Sequence, residues 1–474
     1  MKIVNSLLKN PIGNSVAWSA FGSLISKGLV FLAWIVVARI LGAEKYGEFG
    51  LIRNTVLMFT VFAGFGLNST AVKYVAQYSE CRIKTYKLIK LILYTSTFMG
   101  FIFFVIVFFF SEYIARRTVN APWIEDDIKI ASFMLLTFSL NSAQLGVLAG
   151  LKKFKEIAKI EIYNAIISLP LFALLTYFLE VKGAVIGYLL YSVLLCLFSR
   201  FIINKNIGIQ NINIRDIFSE RGILLKFSLP AMLAGACVLP IKWYSEVILI
   251  NNSGFREMGL FSAVLLVTLV VQCVANTMNA PLLSYLSSDK GRKYDNINLY
   301  ITWFVGLIIC IPLIMLYEIP ECIFGKDYSG VRFEKTLIIV LLYTIITMYK
   351  QGLSRIFQVH EMQWVGLLSN LIWGGILLLS FSFFKNYGSL GLSLSYLLAY
   401  ILITLIMFPV YFIKKWIPIS FLLSVKSCFI WLSTLLISLL SFIGISLYIR
   451  ALLLLLIVFF IIKNRKKIIM TWQS

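Results

Sequence analysis

The sequence predicts an all-α polytopic membrane protein of about fourteen transmembrane helices. Three observations predict it. Of the 474 residues, 60% are hydrophobic and only 14% charged, against roughly a quarter charged in an ordinary soluble domain. Apolar runs of about 20 residues, enough to cross about 30 Å of hydrocarbon, recur along the chain. The runs are continuous rather than alternating, so helices and not a closed barrel satisfy the backbone in lipid.

The spans fall near 15–39, 48–72, 90–110, 128–150, 157–179, 183–203, 224–250, 257–283, 297–317, 334–354, 363–384, 388–412, 424–446 and 448–462. The first follows Lys2 and Lys9 and has no small-residue cleavage site, so it reads as a retained span. The longest connections lie around 73–89, 111–127, 204–223, 284–296 and 318–333, and none is long enough to hold a folded domain. Orientation follows from Lys and Arg. With the N-terminus inside, 28 of the 43 Lys and Arg residues fall in or beside cytoplasmic connections, Lys350 and Arg355 among them, and 12 on the opposite side, Arg450 among them. Both termini are therefore expected in the cytoplasm, with the chain in an inner membrane. The net charge of +22 is topology signal and contact with anionic lipid, which argues against a nucleic-acid partner.

Cys196, Cys237, Cys273, Cys310 and Cys428 lie singly in apolar runs without metal spacing, as small core residues do. His360, the only histidine, lies in a short connection without ligand partners. No metal and no cofactor are expected.

An internal repeat follows the first span. Gly42 to Phe49 and Gly254 to Phe261 both read G-x-x-x-x-G-x-F, 212 residues apart, each between two long spans. Six spans separate the copies, so the halves share one orientation, as in parallel-repeat transporters with an axis along the membrane normal. The expected organisation is an N-terminal lobe over 1–203, a cytoplasmic linker over 204–223, and a C-terminal lobe over 224–412. Two added helices and a basic tail occupy 413–474.

Ala38-Arg39-Ile40-Leu41-Gly42-Ala43-Glu44-Lys45-Tyr46-Gly47-Glu48-Phe49 resembles the ARxLGxxxYGxF signature of Wzx-type polysaccharide flippases. Ala63-Gly64-Phe65-Gly66-Leu67, followed by Lys73-Tyr74, resembles their second-span segment. Those flippases belong to the multidrug/oligosaccharidyl-lipid/polysaccharide (MOP) exporter superfamily. The motif likeness covers residues 30–80, and the likeness in length and span count covers the whole chain. The resemblance implies translocation of undecaprenyl-pyrophosphate-linked oligosaccharide repeat units, for O-antigen or capsule, by alternating access. It also implies a polymerase and a chain-length regulator as pathway partners, and a monomeric chain.

Three cations inside spans point to an anionic cargo: Lys27 midway along span 1, Arg53 in span 2 and Lys242 in span 7. Each costs roughly 2.5–3.5 kcal/mol at the bilayer centre on insertion scales, so it faces a wet cavity or a partner. The repeat offset places Lys242 one turn from the equivalent of Lys27. Charge-assisted donors from both halves suit a pyrophosphate. Two blander readings stand beside this one. Glu246, one turn after Lys242, can form a self-contained pair with it, and Arg53 can snorkel to the outer interface. Polar residues also recur on helix faces: Thr268, Gln272, Asn276 and Asn279 on span 8, Asn141 and Gln144 on span 4, and Glu161 and Asn164 on span 5. Such amides line a sugar path or glue helices together.

There is no G-x-x-x-x-G-K-[ST] phosphate loop, no H-E-x-x-H and no Ser/His pairing, so no catalytic residues are assigned. The rival readings are a multidrug extruder of the same superfamily and a non-transporting scaffold of polysaccharide assembly.

Overall fold

The structure is a computed structural model. It describes residues 11–78, 80–207, 217, 221–224, 228–229, 232–233, 236–279, 282, 295–359, 363–413 and 424–452. His360, Lys2, Lys9, most of the 204–223 linker and the basic tail lie outside the described residues. Two compact units emerge, Met1–Gly259 and Leu260–Ser474.

In the first unit, α1 (Pro11–Gly64) contains 54 residues. Straight, it would run about 80 Å at about 1.5 Å per residue, far more than one crossing. Gly42 breaks it at φ 69°, ψ 174°, a conformation essentially reserved for glycine. The chain then folds back, bringing the Trp34 and Phe49 rings to 5.4 Å. Spans 1 and 2 are thus the arms of one hairpin.

After a turn at Phe65 and Gly66 come α2 (Leu67–Gln77) and α3 (Arg82–Tyr113). The loop expected over 73–89 is therefore largely helical. Lys73, Arg82 and Lys84 are exposed on the helix ends, where long basic side chains reach water without ending the helix. A single π-type turn (Ile114–Thr118) and a short 3-10 turn (Pro122–Ile124) lead into α4 (Glu125–Gly150). Glu125, Asp126 and Asp127 occupy its first turn, where carboxylates complement the helix dipole.

Next, α5 (Phe154–Ile207) repeats the hairpin with its break at Glu180 (φ 51°, ψ −128°). Phe172 and Tyr188 meet across it at 6.4 Å. An apolar core including Leu67, Ala71, Leu88, Ile92, Val147, Ile160 and Leu195 joins α2, α3, α4 and α5. The hairpin α6 (Val238–Thr277) breaks at Gly254, with φ 84° and ψ 173°. The two motif glycines, Gly42 and Gly254, therefore share one backbone conformation.

The second unit holds α7 (Asp295–Met315), α8 (Glu318–Phe324) and α9 (Val331–Val359). Then follow α10 (Gln363–Phe384), α11 (Gly388–Ile413) and α12 (Val425–Ile443). Residues 336–346 of α9 are all buried, so this helix runs through the middle of its unit. Trp431 of α12 stacks on Trp303 of α7 at 5.5 Å and meets Tyr349 of α9 edge-on at 5.5 Å.

Arg450 corrects an expectation. It is buried rather than a loop cation, donating to the Met315 carbonyl at 2.8 Å with its guanidinium over Tyr317 at 4.9 Å. Lys350 and Arg355, both counted on the cytoplasmic side, sit within α9, Lys350 inside the expected span and Arg355 just past its end. The inside-positive bias survives removal of all three. The predicted spans through 424–446 largely coincide with described helix, apart from the partly described start of 224–250 and end of 257–283. Span 448–462 lies largely outside the described residues.

Candidate substrate site

The repeat motifs make direct contact in the first unit. A Cβ on Gly47 would collide with the Phe255 carbonyl oxygen, and one on Gly259 with the Ala43 carbonyl oxygen. Ala43 and Phe255 hold equivalent positions in the two copies, so the contact is reciprocal, as a twofold relation requires. Around it, Trp123 donates to Glu48 at 2.8 Å and packs on Phe255 at 6.0 Å. Asn251 donates to the Thr118 carbonyl at 2.9 Å.

Two further bonds tie span 2 to span 7. Trp243 Nε1 donates to Thr55 Oγ1 at 2.8 Å, and Asn54 Nδ2 donates to Glu246 Oε2 at 2.9 Å. Glu246 is buried, and the charges of Arg53 and Lys242 both bear on its carboxylate. Neither cation forms an ion pair with it among the described residues. The expected self-contained pair of Lys242 with Glu246 is thus replaced by the Asn54 bond. Arg53, partly buried, is held over the Trp34 ring at 5.4 Å with its Nε 3.4 Å from Asn54 Oδ1. An aromatic ring and an amide thus hold the guanidinium.

Lys27 belongs to a different carboxylate. Its neighbour Ser26 donates to Glu161 at 3.3 Å, and the Lys27 charge acts on Glu161. Span 1 meets span 5 closely there, because Gly22 lies against Ala158. Lys27 itself is exposed. The arrangement therefore brings Arg53, Lys242 and Glu246 together and sets Lys27 beside Glu161.

The amide stripes are largely engaged in helix contacts. Asn141 Oδ1 accepts from Ser199 at 3.4 Å, Asn164 donates to the Tyr191 carbonyl at 3.2 Å, and Gln144 is fully buried beside Cys196. Thr268 bonds the Leu265 carbonyl at 2.7 Å, and Gln272 is partly buried. Asn279 accepts from Arg355 at 2.5 Å. The side chain of Asn276 lies outside those described. Among the described residues no cluster of His, Cys, Asp and Glu could hold a metal ion.

Sequence reasoning missed Asn54, Thr55 and Arg355. Arg355 is buried and bonds Asn279, Asn298 and Thr302, joining the end of span 8 to α7 and α9. A polar residue beside a membrane cation was the available signal for Asn54. For Arg355 the signal was hidden, because the apolar run thins before the helix ends.

Solved structures share this fold. An inward-facing multidrug resistance MATE family transporter of the MOP superfamily aligns with TM-score 0.65 at 16% identity, over 83% of this chain and 98% of that one. A MOP superfamily transporter from Pyrococcus furiosus, described as having a binding pocket of reverse polarity, aligns with TM-score 0.66 at 14% identity, over 87% and 98%. An uncharacterized membrane protein of Methanocaldococcus jannaschii is 24% identical over 414 residues, 83% of this chain and 96% of its own length. Fold and helix pattern define a multi-pass α-helical membrane protein with the fold of these transporters. The chain belongs to the polysaccharide biosynthesis protein family, whose pattern it matches over residues 12–288.

Proposed function

We propose that the protein flips polyprenyl-pyrophosphate-linked oligosaccharide repeat units from the cytoplasmic to the outer leaflet. In a bacterium the carrier is undecaprenyl pyrophosphate, the membrane is the inner one with both termini cytoplasmic, and the product is O-antigen or capsule. Spans 2 and 7 supply Arg53 and Lys242 around one buried carboxylate, and this observation carries the reading. Without cargo, Glu246 partly offsets both cations. A pyrophosphate brings stronger charge-assisted acceptors to the same donors. The lipid tail stays in the bilayer while the head group meets the cations from one side and then from the other.

The test is surface polysaccharide per unit of membrane-inserted protein. Arg53→Ala combined with Lys242→Ala is expected to abolish output while lipid-linked repeat units accumulate on the cytoplasmic face. Normal output at normal protein level would overturn the reading.

A multidrug extruder is the second reading, favoured by the membrane acids Glu246 and Glu161 and by the MATE likeness. It requires that Glu246→Gln raise sensitivity to cationic drugs and leave polysaccharide unchanged.

A further inference from the structure

Among the described residues, Lys350 is a membrane cation with no anion of its own. It lies nine residues, about 13 Å, before Val359 at the end of α9. The preceding stretch 336–346 is buried throughout, so this helix passes through protein and not along lipid. No acidic group pairs with Lys350 among the described residues. The sequence makes this deficit general: no Asp or Glu follows Glu361, so α10, α11 and α12 contain none. On α9 itself Glu334 is sixteen residues away, about 24 Å along the helix.

The surroundings of Lys350 are aromatic. Its ammonium lies over the Tyr400 ring at 5.8 Å. Tyr400 stacks with Tyr343 at 5.7 Å, and Trp373 lies 5.5 Å from Tyr400 and 5.9 Å from Tyr396. Trp373 is buried, and its indole N–H has no hydrogen-bond partner. Orphaned buried donors are uncommon and cost about 1–3 kcal/mol. A cation, an unused donor and ring faces converge from α9, α10 and α11.

We infer that Lys350, Trp373 and Tyr400 form a subsite for an oxyanion carried on a sugar ring, the carboxylate of a uronic acid or the phosphate of a sugar phosphate. The oxyanion takes the ammonium and the indole N–H, and the ring's C–H face rests on Tyr400. The ammonium and the indole N–H can only donate, so a neutral hexose satisfies them less well. The subsite lies wholly in the second unit, apart from Arg53 and Lys242. It deepens the export reading by selecting acidic repeat units, and it rests on that reading for its physiological use.

The experiment uses the full chain in phosphatidylcholine nanodiscs, with glucuronate, glucose and inorganic phosphate as ligands followed by saturation-transfer NMR. Glucuronate is expected to bind about tenfold more tightly than glucose. Lys350→Gln removes that difference, Lys350→Arg keeps most of it, and Trp373→Phe weakens glucuronate. Pyrophosphate binding, assigned to Arg53 and Lys242, stays intact in Lys350→Gln and certifies its folding. Equal binding of glucose and glucuronate, or glucuronate binding indifferent to Lys350→Gln, would overturn the subsite. Phosphate binding as well as glucuronate, with competition from added anionic lipid, would show a lipid head group there and overturn the sugar assignment. Loss of pyrophosphate binding only in the Arg53/Lys242 variant keeps the two readings separable.

Discussion

Gly47 and Gly259 occupy equivalent places in two copies of one motif, and each presses on the other copy's helix backbone, at Phe255 and Ala43 respectively. No side chain mediates this meeting. A methyl group at either glycine enters space held by a carbonyl, which cannot rotate away. Gly47→Ala and Gly259→Ala are each expected to destabilise the fold by about 1–3 kcal/mol through overpacking. Thermal unfolding of the purified variants in detergent checks this, and an unchanged transition would show that the helices slide apart freely.

Glu246 separates two electrostatic accounts of the site. If it stands in for the cargo's charge, Glu246→Gln frees Arg53 and Lys242 while retaining an acceptor for Asn54. Pyrophosphate affinity then rises roughly tenfold. Calorimetric titration of the purified protein reads the change, and weaker binding would make Glu246 part of the cargo's own coordination.

Glu180 holds a backbone conformation suited to glycine, with φ 51° and ψ −128°. Such positions cost of order 1–3 kcal/mol. Its ion pair with Lys45 at 2.5 Å is exposed on both sides and contributes about 0–1 kcal/mol. Strain outweighs the pair, so Glu180→Gly is expected to raise the unfolding temperature. A lower one would mean that the pair anchors the hairpin.

Among the described residues Arg355 bonds neutral partners, Asn279, Asn298 and Thr302. Arg355→Lys loses the fork that reaches Asn279, Asn298 and Thr302 together and leaves buried acceptors open, at about 1–3 kcal/mol. The expected result is less folded protein in the membrane with pyrophosphate binding preserved in the remainder.

Topology is checked by reporter fusions. Those after Lys84-Thr85 and after Lys290 are expected to read cytoplasmic, and those after Asn120 and Gly325 periplasmic. Inversion at two sites would break the inside-positive argument.

The hairpins and the repeat were legible because length, hydropathy and glycine spacing are local properties. Gly42 and Gly254 announced their turns. Glu180 did not, since nothing in its composition marks a glycine-like conformation. The cations were legible as anomalies, but their partners were not. Asn54, across from Glu246, and Glu161, beside Lys27, come from other helices, and contact across helices leaves no period in the sequence. Arg355 resembled a loop charge because α9 outlasts its apolar run.

No Asp or Glu stands on α9 after Glu334 or anywhere in α10, α11 and α12, and this has an electrical consequence. Lys350 and Arg355 are fixed charges on one helix, and in the membrane each carries work of about 2.3 kcal/mol per 100 mV across the full thickness. A transport cycle that shifts α9 along the membrane normal therefore moves charge through the field. Its rate then depends on voltage even when no coupling ion binds, and a recording of transient current without cargo would register the motion of the helix alone.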